Sequence, residues 1–343
     1  MKKFLLVFIA LVCCFPATAQ KKFLKKVDDY LSKGYYKVNY DTAYIGRPVG
    51  TKWTAMVKPV FSYSQLDFSG VMVFHNDDTN EDEFVNFSSK LDSDINPKLS
   101  FSISYLGLSA GTSFSLNGVT GQGRKADADF SLSSYDNSFG IDFAINYYKS
   151  FTGNYDYWDS VHYIKISIPR EYVTQITFDL NFYYAFNHKR FSYPAAFSQS
   201  YIQKKSAGSL LVGGSLHVNE VLTGDSTDHT EIFRLENYSL GLGIGYAYNL
   251  VISKNLLFHL SALPYLVLDG GTSLRHLQQG ELESVKTDFP ELYVIMRNAI
   301  IYNYKDWFFG TNLQLNQSYL RSGDAIKMTS TQWLASCFVG FRF

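Results

Sequence analysis

Apolar and polar residues alternate with a period of two along most of the chain. In Trp307 to Leu320, Trp307, Phe309, Thr311, Leu313, Leu315, Gln317 and Tyr319 share one parity, and Phe308, Gly310, Asn312, Gln314, Asn316, Ser318 and Leu320 share the other. Successive side chains of a strand point to opposite faces, so this predicts a strand with one apolar, aromatic-rimmed face and one amide-rich face. Between Asn237 and Leu250, Tyr238, Leu240, Leu242, Ile244, Tyr246 and Tyr248 oppose a nearly bare face of Ser239, Gly241, Gly243, Gly245 and Ala247. These glycines keep strand parity and no helix start follows them, which argues against a dinucleotide-binding loop. The pattern recurs at 99–105, 141–147 and 175–186. Segments near 53–63, 107–116, 126–135, 206–219, 255–268, 291–304 and 330–343 raise the count to about twelve strands of roughly ten residues.

A soluble sandwich carries charge on its outward face. Here the polar face is Ser, Gly, Asn, Thr and Gln, and the apolar face ends in Tyr, Phe and Trp. The pattern predicts an all-β fold: a transmembrane antiparallel β-barrel of about 12 strands, within limits of 10 and 14, with lipid outside and a polar lumen. Backbone groups inside a bilayer must all be paired, so such strands close on themselves. Weak strands near 64–74 and 161–168 are the extra pair that would extend the count.

The connections give an independent test. Long ones (64–98, 117–125, 150–171, 220–236, 269–290 and 321–329) alternate with tight turns around Leu106, at Asp136 to Phe139, at Val251 to Lys254 and at Lys305 and Asp306. That is the asymmetry of extracellular loops and periplasmic turns. One inner connection breaks the rule, the stretch from Asn187 to Lys205. At the C-terminus, Trp333, Ala335, Cys337, Val339, Phe341 and Phe343 share the lipid parity. The terminal aromatic pair, Phe341 and Phe343, resembles the signal read by the barrel assembly machinery.

The N-terminus has the layout of a secretory signal peptide: Lys2 and Lys3, an apolar run from Phe4 to Phe15, then Ala17 and Ala19 before a cleavage site. About a dozen apolar residues are too few to span a bilayer as a helix. The expected organisation is a signal peptide at 1–19, a periplasmic segment at 20–51 and the barrel at 52–343, for a protein of the cell outer membrane. Within 20–51, Phe23, Val27, Tyr30 and Leu31 fall at helical intervals and predict a short amphipathic helix ended by Gly34. Without the leader the chain is slightly acidic and keeps one cysteine, Cys337. It can form no internal disulfide and does not suit a nucleic-acid partner.

The run Phe186 to Ser209 is rich in aromatic, basic and hydroxyl residues and has no acidic one. Its Phe186, Asn187, Phe191, Ser192, Tyr193, Ala195, Ala196, Phe197, Gln199, Ser200, Gln203, Lys204 and Ser206 to Ser209 resemble the hallmark segment of a Bacteroidota outer-membrane β-barrel family classed as a domain of unknown function. Tyr40 to Gly46 resembles the stretch by which the same family leads into its barrel. The resemblance implies a barrel of that compartment and brings no activity and no catalytic residue.

An inner connection of some twenty residues is uncommon and points to an inward-folded or functional loop. Its plug or constriction candidates are His188, Lys189, Arg190, Phe191, Tyr193, Phe197, Tyr201, Lys204 and Lys205. The aromatic residues are expected in the barrel base and the basic ones near lumen carboxylates such as Asp179. Strand parity places Lys58, Asp142, Asp179, His217, His259 and Arg297 in the lumen, together with Asp127 and Asp129. Asp142, Asp179 and His259 are candidates to converge there. His75, His162, His188, His229 and His276 fall in connections, no His or Cys spacing matches a metal site, and no cofactor is implied. Mixed lumen charge predicts no strong ion selectivity. The expected function is a pore or binding barrel for a small solute, with outer-membrane lipids around it. The alternatives are a lipid-modifying hydrolase or acyltransferase and a structural or adhesive barrel.

Overall fold

The computed structural model describes residues 25–26, 28–29, 32–33, 39–48, 50–76, 81–116, 127–149, 151–169, 172–224, 233–276, 284–286, 291–322 and 326–343. The chain divides into two compact units, Met1–Asn39 and Tyr40–Phe343. The described residues of the first are helical between 25 and 33, with Ser32 Oγ donating to Asp28 Oδ1 at 3.1 Å. The expected signal peptide and the helix residues Phe23, Val27, Tyr30, Leu31 and Gly34 lie outside the described residues. Among the described residues no helix is long and apolar enough to cross a membrane.

The second unit is built from strands β1 (Ile45–Gly46), β2 (Trp53–Asn76), β3 (Glu81–Ser93), β4 (Asn96–Tyr105), β5 (Leu108–Ser115), β6 (Ala128–Tyr135), β7 (Phe139–Tyr148), β8 (Phe151–Trp158) and β9 (Tyr163–Ile168). It continues with β10 (Val173–Ala185), β11 (Ile202–Gln203), β12 (Ala207–Thr223), β13 (Phe233–Val251), β14 (Leu256–His276), β15 (Ser284–Lys286), β16 (Glu291–Tyr304), β17 (Trp307–Ser322) and β18 (Ile326–Arg342). Twelve of these form one closed antiparallel ring, in the order β2, β4, β5, β6, β7, β10, β12, β13, β14, β16, β17 and β18. The ring closes where β18 pairs with β2 from Ile326↔Gly70 to Arg342↔Thr54. Beyond that register, the Phe343 amide donates to Trp53 O and its carbonyl accepts from Lys52 and Trp53.

The alternation explains why the ring faces lipid. Outward Leu240, Leu242, Ile244 and Tyr246 are exposed while Ala247 and Ser239 on the opposite parity are buried, so the outer wall is an apolar belt. The bare inner face of β13 makes room. A Cβ on Gly243 would lie 2.8 Å from Tyr265 Cδ1, so glycine lets the β14 aromatic ring lie flat against the wall. The turn between β4 and β5 has positive φ at both Leu106 and Gly107, the geometry whose twist matches a two-residue hairpin.

Three expectations need correction. The stretches 64–98 and 150–171 are not plain loops, and their strands do not enlarge the ring. β4 to β7 are only 8 to 10 residues long, whereas β2 runs 24. Above the short strands, the outer part of β2 pairs with β3, β3 with β8, and β8 with β9, extending the wall at the loop end. The cause is continued parity. The inward parity of β2, largely polar inside the ring, turns apolar past β4 at Leu66 and Phe68, which are buried together with Phe87, Leu91, Phe151 and Tyr155. His75 and His276, expected in connections, lie at the ends of β2 and β14.

These residues join Tyr148, Ile168, Val173, Val221, Leu235, Val267, Leu320, Ile326 and Met328 in one buried apolar layer across the loop end of the lumen. Two further apolar clusters occupy the turn end. Polar side chains fill the space between.

Candidate functional site

The turn end is filled by the irregular segment 186–206, here called the base segment. Near its start, Asn187 donates its backbone N–H to Ser209 Oγ at 2.9 Å and its side-chain amide to Gly208 O at 2.8 Å. A one-turn helix, Pro194–Phe197, follows, its proline placed where a missing N–H costs nothing. Phe191, Ser192, Ala196 and Gln199 are fully buried, and Tyr193 and Tyr201 nearly so. Ala195 and Ala196 pack on Leu257, Ala299, Ile301, Phe308 and Phe338, the lumen faces of four strands.

Polar side chains latch the segment to the wall. Asn249 Nδ2 donates to Ser192 O (2.7 Å) and Gln203 Oε1 (3.0 Å), and Ser192 Oγ donates to Asn137 Oδ1 (2.7 Å). Arg342 donates to Gln199 O (3.1 Å), Gln199 Oε1 (3.2 Å) and Asn303 Oδ1 (2.6 Å) while lying over the Phe308 ring. Tyr201 donates to Asp136 Oδ1 at 2.9 Å and accepts from Arg47 at 2.7 Å. Burial, followed by the Asp136 charge, pushes the Tyr201 phenol up from its ordinary pKa. Within the segment, β11 pairs with β1, and Lys204 N donates to Tyr44 O at 2.7 Å.

The basic residues of this segment do not meet Asp179. Lys189, Arg190, Lys204 and Lys205 are exposed at the outer rim. Arg190 lies 3.8 Å from Asp41 and over the Tyr44 ring, Lys205 also lies over Tyr44, and Lys204 donates to Thr42 O. The solvation of a cation favours this arrangement, which keeps the charged heads at the exposed rim. His188 sits in the turn at the rim, its Nδ1 3.2 Å from Ala185 O.

His259 packs against the base segment, ringed by Phe191, Tyr193 and Phe197. Its Nδ1 is 2.6 Å from Asn249 Oδ1, an acceptor, so Nδ1 carries the proton and Nε2 faces Ser261 Oγ at 3.1 Å. Ser261 Oγ, which also donates to Arg297 O at 3.4 Å, His259 and Asn249 thus form a hydroxyl, imidazole and amide array. His259 is fully buried and Ser261 nearly so.

Above the base segment, Asp142, Asp179 and His259 do not converge; each has its own partner. Arg297 Nη1 donates to Asp142 Oδ2 at 3.1 Å and to Tyr193 OH at 3.3 Å, and Tyr135 OH also donates to Asp142. His217 Nδ1 lies 2.6 Å from Asp179 Oδ1, and its ring stacks on Tyr293. Lys98 Nζ is 2.9 Å from Asp129 Oδ2, which also accepts from Ser113 Oγ at 2.6 Å. Asp127 accepts from the Lys149 amide at the upper edge of this wall. Strand parity could have flagged Lys98, Asn249, Ser261 and Arg342, which were missed. An arginine between two lipid-facing phenylalanines must point inward, where an unpaired charge is costly.

Between the base segment and the apolar layer lies a cavity of about 320 Å³. Serines of β4, β5 and β6 form one wall, Asn312 and Gln314 of β17 and Ser336 of β18 another, and Phe197 and Ser198 the floor. Lys58 projects into it from β2. Among the described residues no cluster of His, Cys, Asp and Glu suits a metal ion.

The closed ring, the apolar outer belt and the filled polar lumen define a transmembrane β-barrel. More narrowly, the chain belongs to the family described as Domain of unknown function (DUF4421), whose model matches residues 39–343. No curated protein sequence compared with the chain matches it. Among solved structures it is similar to the outer membrane protease OmpT from Escherichia coli, at 7% identity and a TM-score of 0.47, covering 86% of this chain and 98% of that one. It is also similar to the translocator domain of the autotransporter NalP from Neisseria meningitidis, at 11% identity and a TM-score of 0.32 over 95% and 97% of the two chains. A third is the outer membrane protein OprG from Pseudomonas aeruginosa, at 9% identity and a TM-score of 0.29 over 86% and 98%.

Proposed function

We propose that the chain is an outer-membrane barrel that binds or passes a small solute, with residues 187–205 as a plug at its periplasmic end. The observation that carries this reading is the polar cavity of about 320 Å³ held between the base segment and the apolar layer. A barrel with a purely bracing role gains stability from an apolar lumen, whereas this one keeps hydroxyls, amides and a lysine around open space. In this reading residues 1–19 are a signal peptide, Phe341 and Phe343 engage the assembly machinery, and the outer belt contacts membrane lipids. Planar-bilayer recordings of the refolded chain test it. The native barrel is expected to be closed. A variant with residues 190–205 replaced by a short turn and with Phe87→Ser and Leu91→Ser is expected to conduct, and a silent variant of that kind would reject the solute path.

The Ser261, His259 and Asn249 array favours a second reading, a lipid-modifying hydrolase or acyltransferase whose site the base segment covers. An alkyl fluorophosphonate should then label Ser261 once residues 190–205 are replaced. Failure of that labelling, with the barrel folded, removes the enzyme reading.

A further inference from the structure

Each carboxylate in the middle of the lumen has its own basic partner: Lys98 for Asp129, Arg297 for Asp142 and His217 for Asp179. Lys58 is left over. It shares the cavity with these groups, stands directly across from Ser100 in the β2 and β4 register, and makes no hydrogen bond or ion pair among the described residues. A lysine held partly out of water in a cavity is stabilised by an anion brought to it. The cavity also holds unmet acceptors. Asn312 Oδ1 and Asn181 Oδ1 are both buried without a protein hydrogen-bond partner, and both residues line the same space. A buried amide oxygen without a donor costs free energy that a ligand hydroxyl can recover.

The groups lacking partners thus include one cation, Lys58, one buried donor, Arg297 Nε, and two acceptors, and much of the remaining wall is serine and amide. We propose that this cavity binds a small organic anion bearing several hydroxyl groups, a sugar acid in chemical class, with its carboxylate on Lys58 and its hydroxyls donating to Asn312 and Asn181. The volume lies at the low end of ligand pockets, roughly 300–1,000 Å³, which suits one sugar ring and not a chain of them. A neutral sugar leaves Lys58 unmatched, and a cationic one is repelled by it. The proposal rests on the reading of the chain as a solute-binding barrel.

The test uses the refolded full chain and three probes that share one ring and differ in charge: D-glucuronate, D-glucose and D-glucosamine. Titration calorimetry after long incubation is expected to show glucuronate binding at least about tenfold more tightly than glucose, with glucosamine weakest, a difference of about 1.4 kcal/mol. Lys58→Met should bring glucuronate to the level of glucose and Lys58→Arg should keep the preference, with native electrophoretic mobility checked for both. The three native-chain titrations stand even if a variant misfolds. Equal binding of all three sugars, or full glucuronate affinity in Lys58→Met, overturns the anion assignment and leaves the binding barrel intact. Binding of none of them, in the native chain and in the variant with residues 190–205 replaced, overturns both.

Discussion

Asp142 and Arg297 lie on strands five places apart in a ring of twelve, yet their side chains meet at 3.1 Å in the lumen. Gln332 and Tyr148, also five places apart, form a second bridge at 2.9 Å. Contacts between nearly opposite walls brace the interior around the polar cavity. They also tie the base segment to the ring, because Arg297 donates to Tyr193 as well as to Asp142.

Removing one member of the first bridge should therefore cost more than removing both. Arg297→Met leaves Asp142 charged inside the barrel with only hydroxyl donors, and loss of one partner of a buried pair typically costs roughly 3–5 kcal/mol. Adding Asp142→Asn to Arg297→Met is expected to recover part of that loss. Urea unfolding in lipid vesicles checks it, and additive losses in the double variant would contradict the bridge.

The Arg342 latch predicts a local effect. Arg342→Leu removes three hydrogen bonds to Gln199 and Asn303 and leaves the backbone pairing of β18 with β2 in place. The barrel should keep its heat-modifiable mobility while protease cleaves between residues 190 and 205. Arg342→Lys should fail to protect, because an ammonium cannot reproduce the planar fork. Uncut base segment in Arg342→Leu would show that the apolar packing of Ala195 and Ala196 holds it alone.

The ring was legible because strand parity is local: a dozen residues suffice to show that Ile244 faces lipid and Gly243 does not. The base segment was legible as a long connection on the side of short turns. Which lumen groups meet was not, since parity says that Asp142 and Arg297 point inward but not their height or which strand stands opposite. The pairing of Asn249 with His259 was within reach, because a hairpin turning at Val251 to Lys254 sets them directly across from each other. The strands β3, β8 and β9 were harder to read, since they take their order from the apolar face of β2 that they cover.

Alkaline pH should loosen the base segment before the barrel. The Tyr201 phenol is raised by burial and then by Asp136, so it stays protonated in the folded state above the value of about 10 at which an unfolded tyrosine ionises. Its contribution to stability is fully present below pH ~10 and declines as pH rises past that value, because only the unfolded state gains by losing the proton. Protease sensitivity of residues 190–205 should rise from about pH 9 to 11. Tyr201→Phe, which has no proton to lose, should flatten that rise while being more sensitive at neutral pH.

On the proposed reading the two closures act in series, so opening either one should expose the cavity from one side only. Ser336 lines the cavity, and the neighbouring Cys337 is an exposed thiol on the lipid parity. Ser336→Cys with Cys337→Ser places one reporter thiol in the lumen. In the otherwise native barrel a bulky, membrane-impermeant maleimide should react slowly from both sides, because Phe197 and Ser198 lie below the thiol and the layer of Leu66, Phe87, Leu91 and Tyr155 lies above it. Replacing residues 190–205 should speed labelling from the turn end alone. Phe87→Ser with Leu91→Ser should speed it from the loop end alone, at a stability cost of a few kcal/mol for two emptied apolar sites. Equal rates in all three barrels would mean that neither closure limits access, and the cavity would then be an open vestibule.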